Sequence, residues 1–279
     1  MRALNMAPAS EPAPQHISFY RFVQLDDAPA FATQLREQAR SLGLLGSVLI
    51  ASEGLNGMLA GPASALDALE RMLQADARFQ GMPFKRSFCE TAPFHRLKVH
   101  HKARIVPLDL PGTGSHPDGG ASRIAPADWD ACIADPTVLV LDNRNSFEYR
   151  LGRFRGAVDP GVAHFRDFAR YVTDHAELWK AQGRRVAMYC TGGIRCDKSA
   201  GWMQGLGLDV VQLDGGILNY LDQHKGQPSA WQGECFVFDN RVALGADLRE
   251  TGTTAQQVFQ DEPDGAWRLA RARRLAAQD

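Results

Sequence analysis

The sequence predicts an α/β protein built from two folded parts, and three observations carry that prediction. Residues 16–108 alternate apolar strand-like runs with two amphipathic helical stretches, in the order β-α-β-β-α-β. A stretch rich in Gly, Pro and Ser, "DLPGTGSHPDGGASRIA" (109–125), then has no hydrophobic period and marks a linker, taken as 109–121. Beyond it, "TVLVLD", "RRVAMYC" and "DVVQLD" are continuous apolar runs separated by helical stretches. That is the pattern of parallel strands buried on both faces.

In the first part, the run "ISFYRFVQL" from Ile17 reads as a strand. A helix from Pro29 to Leu42 follows, with Phe31, Leu35, Ala39 and Leu42 on one face. "SVLIA" and "GMLAG" read as two strands joined by the turn "SEGLN", and a second helix runs from Ala63 to about Leu73. "FKRSFCE" and "ARIVPL" close the set as strands. Two helices covering one face of an antiparallel sheet in this order give a ferredoxin-like sandwich. In the second part (122–225), helical stretches at Phe165 to Trp179, Cys196 to Gln204 and Gly216 to about His224 make a three-layer α/β domain with a parallel sheet. Residues 226–279 form a C-terminal extension: "WQGECFVFDNRVAL" reads as an extended appendage, and "DGAWRLARARRLAAQD" as a surface helix with a basic face.

Composition narrows the function classes. Apolar residues are 44% and charged residues 23% of the 279, as in soluble globular proteins. The net charge of −1 gives no global pull toward nucleic acid or membrane, so a polyanionic partner would meet a local patch. No apolar run is long enough to span a bilayer. Residues 1–15 lack the hydrophobic stretch of a secretory signal and read as a disordered Ala/Pro tail. Five scattered cysteines (Cys89, Cys132, Cys190, Cys196, Cys235) with no C-x-x-C pair fit the reducing cytoplasm; they suggest neither a disulfide framework nor a zinc site.

The chemistry concentrates in "MYCTGGIRCDKSA" (188–200). Cys190 ends a predicted parallel strand, where open α/β sheets bind ligands. Thr191, Gly192, Gly193, Ile194 and Arg195 make a short loop, and a helix opens near Cys196. The glycines let several N–H groups converge. Those donors and the helix N-terminus focus positive potential on the sulfur, which favours a thiolate or the terminal anion of a persulfide. The plainer alternative, a buried small hydrophobe at a strand end, leaves the double glycine and Arg195 without a purpose. Only four residues separate Cys190 from Arg195. Cysteine-dependent phosphatases carry a longer spacing, because their loop wraps a whole phosphate.

The second part resembles a rhodanese domain. "LDNRNSFEYRLGRFRGAVDP" matches the first half of that pattern and "LDGGI" (213–217) its late Gly-Gly turn. Together with "CTGGIRC", the N-terminal "ASEGLNG" and "WQGECFVFDNRVAL", the chain from about Ile17 to Leu244 resembles the rhodanese-domain tRNA uridine(34) hydroxylases. The resemblance implies oxygen-dependent formation of 5-hydroxyuridine at the wobble position of tRNA, with Cys190 as the essential cysteine. Molecular oxygen is then the co-substrate and the tRNA anticodon region the partner. No flavin, nicotinamide, haem or iron fingerprint is evident, no metal site is expected, and the sequence names no reductant and no oligomeric state. Many members continue into a cysteine-rich tail; here no cysteine follows Cys235.

Other residues divide between roles. Cys196 either resolves an oxidised Cys190 or packs a helix start. Asp142 and Arg144 read better as an internal ion pair than as loop contacts. "FHRLKVHHKAR" holds Arg96, Lys98, Lys102 and Arg104 with no acid, and "YRLGRFR" holds Arg150, Arg153 and Arg155. Both suit phosphate contact or a solvated charged face. "SEGLNG" reads as a hairpin turn, and the resemblance suggests that it faces the Cys190 loop. The leading expectation is therefore tRNA hydroxylation. The alternatives are a sulfurtransferase using thiosulfate or a protein persulfide, which would need no basic N-terminal domain, and a non-catalytic module, which would need no intact loop.

Overall fold

The computed structural model describes residues 15–108, 120–225 and 227–276. Almost all of the segment read as a tail (1–14 of 1–15) and most of the linker (109–119) lie outside the described residues.

The N-terminal part comprises β1 (Gln15–Phe22), α1 (Ala28–Ser41), β2 (Leu45–Ala51), β3 (Gly54–Gly61), α2 (Ala63–Ala75), β4 (Lys85–Phe88) and β5 (Leu97–His101). Its sheet has the order β4-β1-β3-β2-β5. The first four strands pair antiparallel, as a ferredoxin-like sandwich requires. Leu35 and Ala39 of α1 and Leu66, Leu69 and Leu73 of α2 fall at helical spacing. They bury one face of the sheet through Ile17, Phe19, Val48, Ile50, Leu55 and Leu59.

Two local expectations are corrected. "ARIVPL" is not a strand. The closing strand is β5, six residues earlier, which runs parallel to β2 from Gly46↔Leu97 to Ile50↔His101. The backbone of 103–108 turns elsewhere: Ile105 N–H donates to the Glu53 carboxylate, and Leu108 N–H to the Val106 carbonyl. The hairpin after β2 is also tighter than "SEGLN". Ala51 pairs with Gly54, so Ser52 and Glu53 make the turn, while Leu55, Asn56 and Gly57 lie inside β3.

The second part follows the order β6 (Ser122–Ile124), α3 (Pro126–Ala134), β7 (Val138–Asp142), α4 (Ser146–Leu151), β8 (Gly152–Phe154), α5 (Phe168–Ala181), β9 (Arg185–Tyr189), α6 (Ile194–Gly205), β10 (Asp209–Leu213) and α7 (Gly216–Gln223). Strands β6-β10-β9-β7 form a parallel sheet. Alternation along β9 divides the core. Val186, Met188 and the following Cys190 face α5 and α6, among Phe168, Val172 and Met203. Ala187 and Tyr189 face α3 and α7, among Trp129, Phe154, Ile217 and Tyr220.

The C-terminal extension folds back on both parts. It contains β11 (Trp231–Gly233), paired with β8, then β12 (Cys235–Phe236), β13 (Ala243–Leu244), α8 (Ala255–Phe259) and α9 (Gly265–Ala276). Phe236 and Phe259 pack edge-on against Phe147 of α4. Among the described residues no helix is long and apolar enough to cross a membrane.

The second face of the N-terminal sheet is buried as well. Even positions of β1 (His16, Tyr20, Phe22) point away from α1 and α2. Phe22, with Ala51 and Ile105, packs on Ile194 of α6. The parallel-sheet domain thus covers the face that the two N-terminal helices leave bare.

Phe154 sits at the centre of the second core, its ring edge-on to Trp129, Tyr189, Tyr220 and Trp231. Phe154→Ala should cost about 3–5 kcal/mol, measured by urea unfolding. A loss under 1 kcal/mol would show that this ring cluster does not hold the domain together.

Candidate active site

Cys190 lies one residue beyond β9, its side chain buried beneath the turn into α6. Gly193 caps α6 with a φ of 104°, which an L side chain rarely adopts, and a Cβ there would meet the Tyr20 hydroxyl at 2.8 Å. This backbone aims the Gly193 N–H at the Cys190 Sγ, 3.1 Å away. Gly216, of the predicted Gly-Gly turn, lies directly under the loop: a Cβ would stand 2.5 Å from the Cys190 carbonyl oxygen. Ile217 and Leu218, at the start of α7, donate their N–H groups to the carbonyls of Cys190 and Thr191.

Burial alone would push the Cys190 thiol up. The Cys196 thiol hydrogen bond, the Arg195 charge and the backbone N–H groups of Cys196 and Arg195 outweigh it, and bring the group down to about 5. The loop therefore favours the thiolate form of Cys190. The other four cysteines go the opposite way. Burial raises Cys89 to about 11 and Cys235 to about 12, and raises Cys132; burial and the neighbouring Cys190 drive Cys196 far up. Cys196 is accordingly a protonated donor packed at the helix start.

Arg195 is fixed by a fork of two 2.8 Å hydrogen bonds to Glu148 and a 3.2 Å bond to the Thr191 hydroxyl. Glu148 is itself held in the first turn of α4, where its carboxylate accepts from the Asn145 N–H at 3.2 Å. Asp142 and Arg144 form the internal pair expected of them: the buried guanidinium grips Asp142 at 2.7 and 2.9 Å and also reaches the Gly152 carbonyl.

The N-terminal part contributes Lys85 and Tyr20, which the sequence did not single out, and Glu53 from the "SEGLNG" turn, which it did. Lys85 of β4 donates to the carbonyls of Gly192 and Gly215, at 2.7 and 2.5 Å, on either side of the loop. Burial lowers Lys85, and the Cys190 charge opposes that lowering. Tyr20 donates to Asp197 at 2.7 Å; the same carboxylate takes Arg123 and Gln212. Glu53, in the "SEGLNG" turn, pairs with Lys198 of α6 at 2.5 Å. The clue was the failed alternation of "HISFYRF": large residues stand on both faces of β1, so something must cover each.

The basic residues fall in two places. Lys98 and His100 of β5, with Arg96 and Lys102 just beyond its two ends, fall at alternate positions. Arg96 donates to the Arg274 carbonyl of α9 at 2.7 Å, and Lys98 feels the charge of Arg271. The strand and the C-terminal helix thus build one positive strip, which ends at Arg104, 4.0 Å from Glu53. Arg150, Arg153 and Arg155 lie on α4, β8 and the turn beyond. There Arg150 pairs with Glu262, and Arg153 covers the Tyr149 ring at 5.0 Å.

A strand-end cysteine in a short Gly-rich loop, on a parallel sheet with helices on both sides, defines a rhodanese-type domain. Family models agree: residues 126–223 match the rhodanese-like domain, and residues 15–105 the UPF0176 acylphosphatase like domain. Three similar proteins are each named tRNA uridine(34) hydroxylase. The Bartonella bacilliformis protein is 42% identical over 84% of this chain and 77% of its own length. The Mesorhizobium japonicum protein is 42% identical over 88% and 79%, and the Anaplasma marginale protein 42% identical over 83% of each. The chain belongs to the tRNA uridine(34) hydroxylase family.

Absorbance of thiolate at 240 nm, taken as wild type minus Cys190→Ser, should titrate with a midpoint near pH 5. The charged form gains weight as pH rises through that value. Cys196→Ala removes one donor and should move the midpoint upward. A midpoint near 9 in the wild type would mean that the loop does not stabilise the thiolate.

Proposed function

We propose that this protein is a tRNA-modifying oxidoreductase that hydroxylates uridine 34 at C5. The observation that carries the reading is 42% identity, across both folded parts, to proteins bearing that name. The site agrees with it, because a sulfurtransferase acting on small molecules has no use for an N-terminal domain that sends Lys85 to the reactive loop and Tyr20 and Glu53 to the helix that follows it. A tRNA substrate also assigns the work to the cytoplasm.

Cys190 is the catalytic residue, and the loop from Thr191 to Arg195 holds it as a thiolate. The overall change converts a uracil C5–H into C5–OH. Molecular oxygen provides the inserted atom. Two electrons and two protons from a pair of thiols, which leave as a disulfide, reduce the second oxygen atom to water. Addition of the Cys190 sulfur to uracil C6 gives C5 the electron density that meets oxygen. Loss of the C5 proton and departure of the sulfur then restore the ring and the thiolate.

The positive strip along β5 and α9 suits the phosphate backbone. It ends at Arg104 beside Glu53, whose partner Lys198 stands in α6 next to the loop. The wobble nucleotide, unstacked in an anticodon loop, is the kind of base that RNA-reading proteins splay into a pocket.

Purified protein, unmodified tRNA, a thiol and air should yield a 16 Da gain at nucleoside 34 by mass spectrometry. The gain should vanish without oxygen and in Cys190→Ser. Thiosulfate-to-cyanide turnover with no change in tRNA mass would replace this reading by sulfur transfer. Lys98→Gln with Lys102→Gln should weaken all tRNAs alike and reduce the salt slope of binding by roughly one per lost phosphate contact. An unchanged slope would move the backbone contacts to Arg153 and Arg155.

A further inference from the structure

The turn between β12 and β13 is built like a support for one residue. Asp239 and Arg241 form a buried fork, with hydrogen bonds of 2.9 and 2.6 Å. Arg241 reaches on to Ser87 and Cys89 at the end of β4, and Asn240 N–H donates to the Pro93 carbonyl. Val237 N–H closes the turn on the Val242 carbonyl. Val242 itself sits at a φ of 62°, a conformation that costs a β-branched residue energy and persists only where its surroundings impose it.

All this anchoring leaves one large apolar side chain outside. Phe238 is 49% exposed, though Val237 before it is buried and so is the side chain of Asp239 after it. Its ring leans edge-on against Phe236, with centroids 5.0 Å apart, and stands 6.0 Å from the Arg195 guanidinium. Phe238 therefore stands at the edge of the Cys190 loop. Lys85, two residues before Ser87 on the same face of β4, holds the loop from the N-terminal side. A rigidly mounted, half-exposed ring beside a reactive loop gives a flat apolar base a surface to lie on.

We propose that Phe238 is the stacking platform for the base of the nucleotide that enters the site, positioning its ring against the Cys190 loop. The proposal rests on the reading that the substrate is uridine 34 of tRNA. Phe238 is a positioning residue: it takes part in no bond change, and its contribution appears in substrate affinity and base placement.

The test compares Phe238→Ala, Phe238→Leu and Phe238→Tyr using an anticodon stem-loop and a matched stem-loop that is abasic at position 34. Wild type should bind the uridine form about tenfold more tightly than the abasic form. Phe238→Ala and Phe238→Leu should lose that preference, while Phe238→Tyr keeps it. In turnover, the Ala and Leu variants should raise KM for the stem-loop about tenfold, with the 240 nm titration of Cys190 unchanged. A preference for uridine that survives in Phe238→Ala would overturn the proposal, as would a Leu variant indistinguishable from wild type. Should wild type make no 5-hydroxyuridine, the hydroxylase reading falls. The binding cycle uses no turnover, so it judges the platform separately.

Discussion

The fork of hydrogen bonds between Arg195 and Glu148 ties together segments that lie far apart in the chain. Glu148 belongs to the first turn of α4, behind β7, and Arg195 opens α6, behind β9. Because both groups are buried and satisfied, the charge of Arg195 stays beside the Cys190 sulfur, where burial leaves it weakly screened. Burial that would otherwise raise Glu148 is outweighed by that same guanidinium, so the pair remains ionised. The N–H groups that meet the sulfur depend on this arrangement, since they belong to the residues that Arg195 fixes in place.

The second constraint is the shared face between the two folded parts. Asp197 and Lys198 are consecutive residues of α6, and both reach into the N-terminal part, to Tyr20 and Glu53. The helix that activates the cysteine is thereby set by side chains from another domain. The C-terminal extension closes the remaining side, with Arg241 on β4 and Phe259 on α4. The reactive loop is thus enclosed by segments from the whole length of the chain.

Much of this was legible in the residues. Buried parallel strands announce themselves as continuous apolar runs, and the cysteine, double glycine and arginine at a strand end announce a stabilised anion. The Asp142–Arg144 pair was legible for the same reason: charges after a core strand must satisfy each other. "ARIVPL" misled because an apolar run looks the same whether its N–H groups meet a strand or, as at Ile105, a carboxylate. "SEGLNG" misled because pairing across β2 and β3 takes up all but Ser52 and Glu53 of it. Lys85 was invisible because its partners are backbone carbonyls, which leave no mark on a sequence.

The same N-terminal sheet has a further consequence, seen at its two rims. An edge strand offers unpaired N–H and C=O groups to any neighbouring chain, and a sheet must blunt them to avoid sticking to its own copies. On the β4 rim, the turn from Asp239 to Arg241 lies against the strand end. On the β5 rim, Arg96, Lys98 and Lys102 set like charges along and beside the strand, so a second copy aligned there would meet its own repulsion. The residues suited to gripping a polyanion also keep the molecule from aggregating. Neutralising them to weaken RNA contact therefore trades away colloidal stability at the same positions.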